Sequence, residues 1–163
     1  MSFFLALSGL SAQSTHSYEK MQSRFEKETL ESHDSAAFIQ TGIQKAKTLF
    51  EYNTVYLQNS AHPSNQKYVE KKVPELFFVA EGDSVDIDLV MQRAQDIVEK
   101  QAGKPVDLKF EPKDGFLGQV YTVNTQPKFK ADLIIVKVDK PFGKVTKKVW
   151  QVFLTNPEFL STK

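Results

Sequence analysis

Cysteine is absent from the 163 residues. Disulfides, thiol catalysis and cysteine-held zinc or iron–sulfur groups are excluded with it. Histidine, the usual acid or base at neutral pH, occurs three times, at His16, His33 and His62. No His-x-x-x-His or Glu-x-x-His spacing arises from them, so the chain carries no metal motif. The seven glycines are scattered, which leaves no glycine-rich phosphate loop, and no Gly-x-Ser-x-Gly elbow marks a nucleophile. Neither charge sign dominates: 21 basic and 20 acidic residues leave a net charge of +1. A general nucleic-acid binder needs a basic surplus to displace counterions, so nucleic acid is not an expected partner. The apolar run at residues 3–7 is far too short to span a bilayer.

What is present suits one domain with a real core. Hydrophobic residues make up 40% of the chain and 13 of them are Phe. Charge is uneven: residues 1–100 carry a net −4 and residues 101–163 a net +5. Most of the basic surplus lies between Lys128 and Lys148. Two readings fit that surplus, a solvated sheet edge guarded by lysines or a docking face for an acidic partner.

Residues 1–12 (MSFFLALSGLSA) place a short apolar run before small residues, and polar Gln13, Ser14 and Thr15 follow. The pattern resembles the core and cleavage site of a bacterial signal peptide, without the basic residues that normally precede it. Cleavage there implies a secreted or periplasmic protein with a single α+β domain over residues 13–163. The alternative is a first structural element packed on the domain, in a cytoplasmic protein.

Tyr18, Met21 and Phe25 share one face of a helix expected over residues 16–31, and Ser32 to Ser35 read as a break with a cap. Ile39, Ile43, Ala46 and Phe50 predict a second helix at spacings of four, three and four, extended backwards by Ala36 and forwards by Leu49, Asn53 and Leu57. Residues 59–65 are rich in turn formers, Pro63 is expected to stop any helix, and residues 67–74 read as a charged connector. Residues 76–79 (LFFV) predict a short buried strand. A third helix follows, with Ile87, Val90, Met91, Ala94, Ile97 and Val98 at helical spacing and a stripe expected to dock on a sheet. Asp83, Asp86 and Asp88 cap its start; they lack the central glycine and closing glutamate of a calcium loop. Gly103 and Pro105 end it. The period then becomes two, and strands are expected over residues 106–111, 116–124, 133–138 and 145–155, joined by tight turns.

The reading is therefore α+β, with helices followed by a curved antiparallel sheet of four to five strands. This element order over residues 16–156, with the closing strand Val149-Trp150-Gln151-Val152-Phe153-Leu154, resembles the NTF2-like (cystatin-like) cone superfamily. The resemblance implies a sheet wrapped round the helices with an apolar pocket at the open end. It also implies that any enzyme activity would use one buried His, Asp or Tyr inside the cone.

Residues expected at such a pocket are Tyr52 and Tyr56 one helical turn apart, His62 on the following loop, and Tyr121 and Trp150 on strands. No catalytic residue and no cofactor is assigned. The function that follows is a non-catalytic binding or interaction module using an apolar pocket or a sheet surface, with a small apolar ligand or a protein as partner. Two alternatives stand beside it: an acid/base enzyme of the isomerase, dehydratase or cyclase type, and a structural subunit assembling through its sheet. Large apolar residues on both sides of the last strand, Trp150, Val152 and Leu154 against Val149 and Phe153, point to a homodimer. If phenyl rings fill the cone instead, the lysine-rich sheet becomes the working surface.

Overall fold

The computed structural model describes residues 32–58, 62–82 and 84–161. The segment 1–12, the helix expected over 16–31, His16, residues 59–61 and Asp83 lie outside them. The described order is α1 (Ser32–Gln58), α2 (Pro63–Lys72), a 3-10 turn (Pro74–Leu76) and α3 (Ile87–Lys100). Four strands follow: β1 (Leu108–Glu111), β2 (Gly118–Thr122), β3 (Lys128–Phe142) and β4 (Val145–Leu160). Each strand pairs antiparallel with the next, so the sheet is a meander in chain order and the fold is α+β.

α1 buries Phe38, Gly42, Ala46, Leu49, Phe50 and Asn53. The spacing is helical, but the stripe is turned from the expected one, since Ile39 and Ile43 are only half-buried. Gly42 explains the turn: a Cβ there would lie 2.5 Å from the Leu133 side chain, so α1 can approach β3 only over this glycine. Ser32 to Ser35 are helical rather than a break. Serine and aspartate cost a helix only a few tenths of a kcal/mol each, roughly, and burial of Phe38 one turn on outweighs that.

α2 replaces the expected turn and connector. Pro63 sits in its first turn, where a proline gives up no hydrogen bond and arrives with a helical φ. Val69 and Val73, four apart and both fully buried, then hold this charged segment against the core. The strand expected at residues 76–79 shrinks to one parallel bridge, Phe77 to Leu154, with the Phe78 N–H donating to the Leu154 carbonyl at 2.8 Å.

α3 is capped by Asp86, whose carboxylate accepts from the Leu89 N–H at 2.9 Å. Val90, Met91, Ala94 and Ile97 are its buried face. That face packs most closely on α1, not on the sheet as expected. The space between α1, α3 and the sheet is occupied by Leu49, Phe50, Ala94, Ile97 and Phe129, with Phe50 edge-on to Phe129 at 5.4 Å and Phe159 behind it at 5.2 Å.

The sheet is longer than its sequence pattern. β4 runs through Asn156 and Pro157, which were expected to end it. The register slips there: Lys130 faces Glu158 while Asp132 faces Thr155, and Asn156 takes a φ of +47°. Such a bulge is where a strand tolerates proline. Beyond Leu133 and Leu154, β3 and β4 continue as a two-stranded ribbon through nine more pairs, ending at Phe142 opposite Val145. At about 3.4 Å per residue the ribbon is roughly 30 Å long.

Candidate functional site

The five residues expected at a pocket do not converge. Tyr52 turns to α2, where its ring meets Tyr68 edge-on at 6.2 Å, and burial and the Tyr68 hydroxyl raise its pKa. Tyr56 is half-buried against the core. His62 sits exposed at the cap of α2, where its side chain makes no capping bond. Tyr121 faces away from the helices on β2, beneath the Lys128 ammonium at 4.7 Å. Trp150 lies on the helix side of the ribbon, with the Lys137 ammonium 5.4 Å from its ring. Tyr121 pairs with Lys130, and Lys130 with Glu158, eight residues along β4 from Trp150. That is about 27 Å, and the two rings are on opposite faces.

Four clefts are formed by described residues, of which the smallest, of about 170 Å³, is lined by Glu111, Gln119, Tyr121, Lys128, Lys130 and Leu160. Of the other three, one, of about 550 Å³, is lined by Tyr121, Asn124, Gln126, Lys128 and Leu160 beside the β2–β3 turn. Another, of about 560 Å³, lies between the start of α3 and the β4 bulge, and its Asp86 carboxylate is already bonded to α3. The third, of about 370 Å³, runs between α1 and residues 104–108. The first holds Tyr121 and Lys128 and the second Asp86, while the third is lined by Lys47, Glu51, Lys104 and Asp107, all four exposed.

Two charged groups escape the sequence pattern. Asp132 is 2% exposed, yet its carboxylate accepts from Lys113 Nζ at 2.6 and 2.7 Å, Gln119 Nε2 at 2.9 Å and Asn156 Nδ2 at 3.0 Å. Burial raises its pKa, and these donors more than offset that, leaving the carboxyl below its ordinary value. With four bonds accepted, Asp132 is a clasp between the β1–β2 turn and the β4 bulge, and has little capacity left to handle a substrate proton. Its one warning in the sequence is a carboxylate inside the apolar run Ala131-Asp132-Leu133-Ile134-Ile135.

Lys45 is the other. Strand alternation turns Phe153 away from the core residues Val152 and Leu154, and the Lys45 ammonium lies 4.0 Å from its ring centre. Burial pushes the Lys45 pKa down to about 8, with Lys140 adding to the effect and Glu75 opposing it. Glu75 is itself held by Lys72 at 2.8 and 3.1 Å. Phe78 also packs on Phe153 at 6.1 Å, and Val149 is buried, so part of this side of β4 is covered within the chain.

The ribbon tip is an exposed surface of mixed character. Residues 139–146 are all exposed. Phe142 and Val145, 39% and 60% exposed, pair across the apex beside Gly143, whose φ is +64°. Lys140, Lys144, Lys147 and Lys148 lie around them, against Asp139 alone. Lys140, Lys144 and Lys148 form no salt bridge among the described residues. Also among the described residues, no three His, Asp or Glu side chains are grouped to hold a metal, and no helix is long and apolar enough to cross a membrane. Comparison with known protein families, curated proteins and solved structures finds no match.

Proposed function

We propose that the protein is a non-catalytic interaction module of an exported bacterial protein, and that its working surface is the β3–β4 ribbon. One observation carries the reading: the ribbon outruns the sheet by nine residue pairs and ends in exposed Phe142 and Val145 among lysines. A two-stranded ribbon is marginal by itself and its tip adds no residue to the core. Exposed apolar groups rimmed by charge mark contact sites. The export part rests on the pattern of residues 1–12. The order of helices before an antiparallel meander agrees with a cone of the NTF2-like kind, with phenyl rings in place of a deep apolar pocket.

Photo-cross-linking tests the working surface. Benzoylphenylalanine placed at Phe142, in cells that make the protein, is expected to give one discrete adduct, with a protein, a lipid or a second copy of the chain. Lys140→Glu with Lys144→Glu should remove that adduct. Finding none at Phe142, or the same adducts from exposed Leu89 on α3, contradicts the reading.

A further inference from the structure

We propose that the ribbon tip docks on an anionic lipid surface, with Phe142 and Val145 entering the interface and the lysines behind them held at the headgroups. The inference rests on the ribbon being the working surface and names what it meets.

The order of residues along the ribbon carries it. Paired residues share a face, so Phe142 and Val145 stand at the apex with Lys140 and Lys147 directly behind them on the same side. Two residues of strand is about 7 Å, close to the depth at which an interfacial anchor buries its apolar groups. Lys144 sits in the turn and Lys148 on the opposite side of the ribbon, so cations ring the apex. The Lys147 ammonium already reaches forward to 5.9 Å from the Phe142 ring. Lysine stems can run along an apolar surface with the charge held in a polar layer. A protein groove that took the ribbon along its length would be met by apolar residues spread in a stripe along one face. Here the apolar stripe is interrupted by Lys140 and Lys147, and the exposed apolar groups are confined to the apex.

The charge surroundings agree. Lys140 is near enough to Lys45 and Glu75 for its charge to be felt by both, and Glu75 is already paired with Lys72 at 2.8 Å. Each lysine close to an anionic surface strengthens binding roughly fivefold. Two apolar side chains with four lysines supply the paired apolar and electrostatic signals that stable attachment needs.

The test uses the full chain with a single reporter indole, made by Trp150→Phe and Phe142→Trp, checked for an unaltered melting curve against the parent. Vesicles are phosphatidylcholine alone or phosphatidylcholine with one part in three phosphatidylglycerol. The expected result is co-sedimentation and a blue shift of emission with the anionic vesicles only, reversed by 0.5 M salt. Val145→Asp in the same chain should cut binding at least tenfold without moving the melting curve. No co-sedimentation with anionic vesicles at low salt overturns the proposal, as does binding without a blue shift and indifferent to Val145→Asp. A cross-link to a protein at Phe142 together with vesicle indifference overturns the lipid inference while leaving the ribbon as the working surface.

Discussion

Ile97→Asp is expected to lower the melting temperature by roughly 10 °C, from a loss on the order of 3 kcal/mol or more. Ile97 is fully buried, and α3 sets it against α1 together with Val90 and Ala94. A carboxylate at this position loses its water and gains no described cation: Arg93, on the same helix, is exposed and turned to Asp96 at 3.7 Å. The protein would avoid the charge by protonating the new side chain or by opening the α1–α3 contact, and both cost stability. Thermal melts of the two chains read the effect. An unchanged midpoint would mean that this face of α3 is in solvent and the α1–α3 packing is wrong.

Asp132→Ala is expected to cost about 3 kcal/mol at pH 7. The substitution leaves Gln119 and Asn156 donors without their acceptor, and frees Lys113 from the only carboxylate it touches among the described residues. The Lys113 end is 40% exposed, so solvent screens part of the ion pair and the amide donors carry a good share of the loss. The pH dependence follows from the lowered pKa. The folded carboxyl releases its proton below the ordinary value of 3.8, so its contribution is complete above that value. It is lost as pH falls through the folded pKa. The gap between the parent and Asp132→Ala should therefore be constant from pH 7 to about 5 and close in stronger acid. A gap that widens in acid would show that the carboxylate is destabilising where it sits.

Much of this fold is legible in the sequence because its strongest signals are local. Ile97 and its neighbours on α3 follow a 3.6-residue period, and residues after 106 follow a period of two between turn formers. What escapes depends on distant contacts. Pro63 looks like a stop, and becomes the start of α2 because Val69 and Val73 find a core to enter. Leu76 to Val79 look like a strand, and yield one bridge at Phe77 because Pro74 to Leu76 wind into a 3-10 turn instead. Asn156 and Pro157 look like an end, and a bulge carries β4 past them. The site is less legible than the fold. Tyr52, Tyr56, Tyr121 and Trp150 have the right chemistry for a pocket, but face direction and strand register separate them. Val145 looks like an ordinary strand residue and Phe142 like part of the turn at Gly143; only the extent of β3 and β4 beyond β2 leaves them exposed at a tip.

The claim at the centre is that the ribbon tip works without holding the domain together. Replacing residues 139–148 by Asn-Gly joins Val138 to Val149 through a two-residue hairpin turn and removes the tip alone. One comparison decides it: the association of full and shortened chains with larger assemblies or membranes in cells that make the protein, beside their melting curves. The account predicts midpoints within about 4 °C and association lost with the tip. Undiminished association, or a melt lowered as far as by Ile97→Asp, contradicts it.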